Sequence, residues 1–223
     1  MNEPQTRVLI TAGPTHEPID EVRYLANRSS GRMGIAIAEE AAHAGHPTTL
    51  LLGPTHLTPD QSSIVAVERF RTTADLEHAL HRLWPEHDLL IMAAAVADYR
   101  PAPFEAGTKL RRTGDEMMLR LESTPDLLAG LAEITRPDQT AIGFALEPLD
   151  RLESSATSKL ERKRLDAIVA NPLETMDAAT VTARVYLRNG RVLQPERGLE
   201  KRAFARWFID QLAEIRTAAR SRS

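Results

Sequence analysis

The sequence predicts an α/β protein of Rossmann-like, three-layer α/β/α architecture with a mostly parallel central sheet. Two observations lead to this prediction: short β-branched runs alternate with helical segments along the chain, and residues 89–96 are apolar at consecutive positions. Alternating strands and helices are typical of a parallel sheet covered on both faces. A continuous apolar run of this length is typical of a strand buried on both faces of such a sheet.

The other elements follow from local patterns. Residues 7–11 are β-branched and stop at a Gly-Pro turn, which predicts the first strand. Small residues at helical spacing predict a helix over residues 30–44, capped by Ser29 or Ser30 and ended by Gly45. Further strands are predicted at residues 48–52, 63–70, 140–145 and 167–170, and further helices at residues 73–83, 124–134 and 150–165.

The last third of the chain differs from this alternation. Residues 181–195 predict a β-hairpin, because Asn-Gly at its centre suits a type I′ turn, and residues 199–218 predict an amphipathic closing helix. Residues 102–122 are polar and basic and predict a protruding loop or a two-stranded flap. Insertions at strand ends are common functional positions in α/β proteins. We expect all of these elements to form one domain over residues 1–223.

Composition restricts the function classes. The chain has no cysteine, which excludes disulfides, thiolate nucleophiles and cysteine-based zinc sites. Its net charge of -3 argues against a general nucleic-acid binder. No apolar run approaches the roughly 20 residues that span a bilayer, and no signal peptide is visible. We therefore expect a cytoplasmic protein with neither a nucleic acid nor a membrane as partner.

The first candidate site is the segment 23–34, in which Asn27 precedes Ser29, Ser30 and Gly31 at the start of a predicted helix. A helix N-terminus presents free N–H groups and a partial positive charge, which suit a phosphate. Gly31 permits close approach of the backbone, and the Asn27 amide can both donate and accept hydrogen bonds. The segment matches neither the dinucleotide fingerprint nor a Walker A loop, and an ordinary capped helix explains its serines equally well.

A second candidate lies at the carboxyl end of the apolar run, where open α/β sheets bind ligands. The small side chains of Ala93 and Ala94 leave room for a flat group, and Asp98 can accept hydrogen bonds from a base or a sugar. The alternative is a packed strand that ends in a solvated aspartate.

A third candidate is cationic. Lys159 and Lys163 stand four apart on a predicted helix, where like charges repel unless an anion is near. Together with Lys109 of the flap they could surround a triphosphate, although a solvated basic face is the simpler explanation. Two histidine pairs with a spacing of three lack a third ligand, so we predict surface histidines and no protein metal site.

These motifs together resemble one family, phosphopantothenoylcysteine synthetase, the phosphopantothenate–cysteine ligase of coenzyme A biosynthesis. They occur in the family's order and span most of the chain. The resemblance is carried by residues 11–20, 27–34, 94–98, 109–112, 125–128, 143–144 and 159–171.

The resemblance implies a reaction in two steps. Phosphopantothenate attacks a nucleoside triphosphate to give an acyl-nucleotide and pyrophosphate, and the amine of cysteine then displaces the nucleotide. Bacterial members use CTP and eukaryotic members use ATP, with Mg²⁺ in both. Many relatives are fused to a flavin-dependent decarboxylase, for which this chain is too short, so we expect no FMN.

The resemblance also implies roles for single residues. Asn27 would hold the acyl-phosphate region with Arg23 nearby, and Lys109, on the flap, would act on the phosphates. Family members are dimers, which makes the hairpin and the flap interface candidates. The implied nucleotide contacts are Ala93, Ala94, Asp98, Pro125, Asp126, Leu127, Leu128, Phe144, Lys159 and Lys163.

Some positions depart from the family pattern. Many relatives have arginine in place of His16, lysine in place of Arg32, and two lysines in place of Arg111 and Arg112. His16 lacks a permanent charge, so an anion-binding role at that position is in doubt. Two alternatives stay open: a dinucleotide-dependent oxidoreductase, which lacks its glycine fingerprint here, and a nucleotide sensor without catalysis.

Overall fold

The computed structural model describes residues 5–60, 64, 66–102, 114, 116–175 and 180–220. The strands are β1 (Val8–Ala12), β2 (His16–Pro18), β3 (Tyr24–Ala26), β4 (Thr48–Leu52), β5 (Ala66–Arg69), β6 (Leu89–Met92), β7 (Tyr99–Pro101), β8 (Leu121–Ser123), β9 (Thr140–Glu147), β10 (Ala167–Pro172), β11 (Thr180–Val181), β12 (Arg184–Leu187), β13 (Val192–Leu193) and β14 (Leu199–Glu200). The helices are α1 (Arg32–His43), α2 (Thr73–Leu83), α3 (Leu127–Leu131), α4 (Leu152–Arg162), α5 (Lys201–Asp210) and α6 (Leu212–Arg220).

Eight strands form the central sheet in the order β13-β12-β10-β9-β6-β1-β4-β5. The six strands from β10 to β5 are parallel, and β12 and β13 add an antiparallel edge. Helices α1, α5 and α6 pack on one face, and α2, α3 and α4 pack on the other. The predicted three-layer fold with a mostly parallel sheet is therefore confirmed, and the carboxyl ends of β1, β6, β9 and β10 meet at one edge.

The apolar run predicted as a strand over residues 89–96 is a strand only to Met92. Residues 93–98 form a loop instead, because their backbone bonds to the turn after β1 and not to a neighbouring strand: Ala95 N–H donates to the Gly13 carbonyl (2.9 Å) and Thr15 N–H donates to the Ala95 carbonyl (3.2 Å). The predicted helix over residues 124–134 is also too long. Asp126 caps α3, so Pro125 precedes the helix.

The C-terminal predictions need two corrections. The hairpin consists of β12 and β13 alone, because Val181 pairs with Leu199 in a separate two-stranded sheet. The closing helix is interrupted at Gln211, and its predicted first residues belong to β14. The hairpin itself extends the central sheet at one edge. The pairing of Val181 with Leu199 joins residues that are distant in sequence, so local periodicity could not reveal where the hairpin and the closing helix begin.

The predicted flap over residues 102–122 has a two-stranded base. Strands β7 and β8 pair antiparallel, and Ala102 N–H donates to the Arg120 carbonyl (2.9 Å). Residues 103–113 and 115, which include Lys109, lie outside the described part of the chain. Within the described ranges, no helix has the length and apolar character needed to cross a bilayer.

A buried carboxylate joins α1 to the C-terminal helices. Glu40 is 6% exposed, and its two oxygens accept hydrogen bonds from Arg202 Nε (2.9 Å) and Arg206 Nε (3.0 Å). Burial alone would raise the pKa of Glu40, but the hydrogen bonds from both arginines outweigh it and lower the pKa. Glu40 thus fixes α1 against α5.

We expect Glu40→Gln to destabilise the protein by about 1–3 kcal/mol at neutral pH, because two charge-assisted hydrogen bonds are weakened. The folded pKa lies below the unfolded value of about 4.3, so this stability is present above that value and is lost as pH falls through the folded pKa. Urea denaturation from pH 3 to pH 8 measures the difference. Glu77→Gln on α2, on the opposite face of the sheet, is the control. A wild-type-to-Gln difference that grows below pH 4 would contradict the assignment.

Candidate nucleotide and acyl-substrate site

A cavity of about 800 Å³ opens at the carboxyl edge of the parallel strands. Its walls come from the segment before α1, the loop after β6, the starts of α3 and α5, the ends of β9 and β10, and the end of α4. The volume lies in the range of ligand pockets, and the position is the one that open α/β sheets use.

Close packing at four glycines determines where the start of α1 lies in this cavity. Gly31 has a φ of 75°, and a Cβ there would lie 3.2 Å from Gly13 Cα. A Cβ on Gly34 would lie 2.6 Å from Ala12 Cβ, and one on Gly53 would lie 2.3 Å from the Pro14 carbonyl oxygen. Helix α1 therefore starts against the end of β1 more closely than any side chain allows.

The predicted serine cap of α1 is wrong. Gly31 occupies the N-cap position in a left-handed conformation that suits the close approach to β1, and it has no side chain to cap the helix. Ser29 Oγ accepts from the Gly31 N–H and Ser30 Oγ accepts from the N–H of Arg32, the first residue of α1, each at 3.4 Å. The first backbone hydrogen bond of α1 runs from the Ile35 N–H to the Gly31 carbonyl (3.0 Å). The N–H groups that precede Ile35 in the first turn therefore take no part in the hydrogen bonds of the helix.

The loop of residues 93–98 is fixed on both sides by hydrogen bonds. Thr11 Oγ1 accepts from Ala94 N–H (3.0 Å), and Thr124 Oγ1 donates to the Ala97 carbonyl (2.6 Å). From the other side, Asn27 Nδ2 donates to the Val96 carbonyl (2.9 Å). One N–H of the Asn27 amide thus holds the loop, and within the described part of the chain the second N–H and the carbonyl oxygen remain for a ligand.

Lys159 and Lys163 of the cavity lining each have an acidic partner. Lys163 Nζ lies 3.0 Å from Asp126 Oδ1, and Lys159 Nζ donates a hydrogen bond to Glu147. Asp126 also accepts from Ala129 N–H (3.3 Å), which caps α3. These pairs explain how two lysines of like charge stand one helical turn apart in the absence of a bound anion.

The cavity brings together most of the residues singled out from the sequence. Asn27, Ser29, Ser30, Gly31, Ala93, Ala94, Asp98, Pro125, Asp126, Leu127, Leu128, Phe144, Lys159 and Lys163 all line it. Lys109 lies outside the described residues. No group of three potential metal ligands of the His, Cys, Asp or Glu type occurs among the described residues.

Arg23, which was predicted to act beside Asn27, and His16 both lie away from the cavity lining. Arg23 binds the buried carboxylate of Asp20 through its backbone N–H (2.8 Å) and its Nε (3.0 Å). The hydrogen bond to Asp20 raises the pKa of Arg23. The ring of His16 stacks on Tyr24 at 3.8 Å, and burial together with nearby Arg71 lowers the pKa of His16, so the ring is neutral at pH 7.

Sequence reasoning missed the contribution of the C-terminal region. Thr180, Val181, Asn171 and Lys201 also line the cavity, with Lys201 at the start of α5. The pairing of β11 with β14 brings Thr180, Val181 and Lys201 to the site, whereas Asn171 lies at the end of β10. Nothing local in the sequence distinguishes them, since the contact joins segments about 20 residues apart.

The chain was compared with known proteins. The family model described as the DNA/pantothenate metabolism flavoprotein C-terminal domain matches residues 4–215. Over 168 residues the chain is 45% identical to a cysteine/cysteine sulfinic acid decarboxylase from an unknown prokaryotic organism, covering 75% of this chain and 46% of that protein. Over 169 residues it is 44% identical to the coenzyme A biosynthesis bifunctional protein CoaBC of Vibrio cholerae, covering 74% of this chain and 41% of that protein.

A crystal structure of the C-terminal domain of a bifunctional protein CoaBC superposes with a TM-score of 0.80 at 35% identity, covering 96% of this chain and 98% of that chain. This chain spans less than half the length of the two full-length relatives named above. The similarity therefore concerns one domain of those proteins.

We expect Gly34→Ala to destabilise the protein by about 1–3 kcal/mol, because the new methyl group would push α1 away from β1. Gly130→Ala in α3 is the matched control: a Cβ there meets no atom within 4 Å, and alanine favours a helix by about 0.5–1 kcal/mol. Urea denaturation of both variants measures the contrast. Equal stability of the two variants would show that the approach of α1 to β1 is not tight.

Proposed function

The chain belongs to the phosphopantothenoylcysteine synthetase family, matched by the DNA/pantothenate metabolism flavoprotein C-terminal domain, and from that membership we propose that it is a phosphopantothenate–cysteine ligase of coenzyme A biosynthesis. Family membership confirms the resemblance seen in the sequence. The observation that carries the proposal is that Asn27, the start of α1, the loop of residues 93–98 and two lysines line one cavity.

In the proposed first step, a carboxylate oxygen of phosphopantothenate attacks the α-phosphorus of CTP and pyrophosphate leaves. The two reactants are both anionic, so positive charge must neutralise them as they approach. The start of α1 with Ser29, Ser30 and Gly31 supplies oriented N–H groups, and Lys159 and Lys163 supply ammonium groups. Arg23 and Lys109 remain proposed contributors to this step.

Magnesium is part of the proposal as an ion that arrives with the nucleotide. Mg²⁺ is usually held by one or two carboxylates together with substrate phosphates. The carboxylates of Asp98 and Asp126 line the cavity, and the described residues contain no larger acidic cluster, which fits this mode of binding. When bound, the ion would neutralise phosphate charge.

In the proposed second step, the amine of cysteine attacks the acyl carbonyl, CMP leaves, and the new amide loses a proton. The free N–H of the Asn27 amide can donate to the acyl oxygen, on which negative charge grows during the attack. Because the other N–H is bonded to Val96, the Asn27 side chain is held in a fixed orientation before substrate binds.

The proposal is tested by mixing the protein with phosphopantothenate, cysteine, Mg²⁺ and CTP, and measuring pyrophosphate and the ligated product. We expect both products in equal amounts, and faster turnover with CTP than with ATP. Nucleotide binding without pyrophosphate release would favour the sensor, and tight NADPH binding would favour the oxidoreductase. Absorbance of the purified protein near 450 nm checks the separate prediction that no FMN is bound.

We expect Asn27→Ala to bind CTP but to form ligated product about 10²-fold more slowly, as when one oxyanion donor is removed. Calorimetric titration measures nucleotide binding, and rapid quench followed by mass spectrometry measures the acyl-nucleotide. Because Asn27 is also proposed to hold the acyl-phosphate region, its loss should slow formation of the acyl-nucleotide as well, so the acyl-nucleotide should fail to accumulate in the variant. Normal ligation by a folded Asn27→Ala protein would refute the proposed role of the residue.

We also propose a homodimer formed through the β2–β3 and β7–β8 ribbons. These ribbons carry exposed apolar side chains, with Tyr24 49%, Tyr99 56% and Leu121 43% exposed. Such a patch is typical of an interaction surface. Sedimentation velocity should give a dimer that Tyr99→Glu dissociates, whereas Val192→Glu, on the hairpin at the sheet edge, leaves it intact. The reverse outcome would place the interface at the hairpin.

A further inference from the structure

A buried polar network lies behind the loop of residues 93–98, and no step of the proposed reaction uses it. Thr15, Glu17 and Thr73 are 0%, 3% and 1% exposed. Thr15 follows β1, Glu17 lies in β2, and Thr73 begins α2. A carboxylate so deeply buried is unfavourable unless hydrogen bonds satisfy it.

The Glu17 carboxylate accepts two hydrogen bonds from Thr73 in this network. Glu17 Oε1 accepts from Thr73 N–H (2.8 Å) and from the Thr73 hydroxyl (2.7 Å). The single hydroxyl proton of Thr73 is therefore used by the carboxylate. Thr15 Oγ1 lies 3.4 Å from Thr73 Oγ1 and is a second, more distant acceptor for the Thr73 hydroxyl. Thr15 Oγ1 also accepts a hydrogen bond from the Ala97 N–H, at 3.0 Å.

Glu17 satisfies the Thr73 N–H in the first turn of α2, but other residues form the cap of the helix. Thr72 and Asp75 form a complete capping box there, in which each side chain accepts from the backbone of the other. Glu17 in addition accepts from the Thr73 hydroxyl, which lies beside Thr15 Oγ1. Thr15 Oγ1 in turn accepts from a backbone N–H of a loop that lines the cavity.

We infer that Thr15 is a positioning residue of the ligase site, which holds the 93–98 loop from behind through Ala97 while Asn27 holds it from the cavity side through Val96. The inference rests on the proposed function. The two anchored residues are adjacent, so a displacement at Ala97 moves the acceptor that orients the Asn27 amide. Loss of the Thr15 hydroxyl therefore disturbs both the wall of the cavity and the group proposed to polarise the acyl carbonyl.

The test compares Thr15→Val, which keeps the volume and removes the hydroxyl, with Thr15→Ser, which keeps the hydroxyl. The control is Thr48→Val, because Thr48 is also 0% exposed. Its hydroxyl donates to the His46 carbonyl (2.8 Å) at the amino end of β4, and the cavity lies at the carboxyl ends of the strands. We expect kcat of Thr15→Val to fall by about 10²-fold, as for a displaced reacting group, with a smaller change in KM for CTP. Thr15→Ser should restore most of the activity, and Thr48→Val should retain it.

Amide hydrogen exchange of Ala97 gives a second readout that needs no activity, and we expect it to accelerate in Thr15→Val alone. Thermal unfolding verifies that all variants fold. A folded Thr15→Val protein with wild-type kcat, or a Thr15→Ser protein as slow as Thr15→Val, would overturn the inference. A wild-type protein that binds CTP without ligating would instead contradict the proposed function, and Ala97 exchange would still report whether Thr15 holds the loop.

Discussion

The close approach of helix α1 to the end of strand β1 is the constraint on which the rest of the site depends. Gly13, Gly31, Gly34 and Gly53 meet there, and a Cβ on any of them would lie within 3.3 Å of another atom. Side chains at this junction would move α1 outward by the width of a methyl group or more. The turn after β1, against which α1 packs, also supplies the Gly13 and Thr15 anchors of the 93–98 loop.

Residues 93–97 form one wall of the cavity, which consists of small apolar side chains and backbone. Residues 93–97 lack polar side chains, so their geometry depends entirely on bonds from elsewhere: Thr11 and Thr15 below, Thr124 beside them, and Asn27 across the cavity. A wall of this kind offers a flat ligand close approach and leaves little side-chain entropy to lose on binding. Its specificity therefore comes from the groups at its ends and not from the wall itself.

Local patterns predicted the parallel sheet and part of the cavity lining, through continuous apolar runs, turn glycines and short polar motifs at strand ends. The family resemblance added residues 125–128 and Phe144. Predictions of strand boundaries were wrong where the backbone forms its hydrogen bonds with a segment that is distant in sequence. Residues 93–96 look like strand but bond to the turn after β1, and Val181 looks like hairpin but pairs with Leu199. The contribution of Lys201 was missed for the same reason. The family resemblance implied that Arg23 lies near the acyl-phosphate region, and in the structure the buried Asp20 carboxylate binds its guanidinium group.

The acidic partners of the cavity lysines affect how a triphosphate would bind. Lys163 is paired with Asp126 and Lys159 with Glu147, so an incoming phosphate exchanges partners and does not simply gain two unpaired cations. An exposed ion pair contributes only about 0–1 kcal/mol, so breaking the Lys163–Asp126 pair costs little, since Asp126 is 38% exposed. Glu147 is more buried, at 12%, and its carboxylate would lose its partner in a drier environment. Lys163 is therefore the lysine that a phosphate can recruit more easily, while the Lys159–Glu147 pair is better suited to hold α4 against the end of β9.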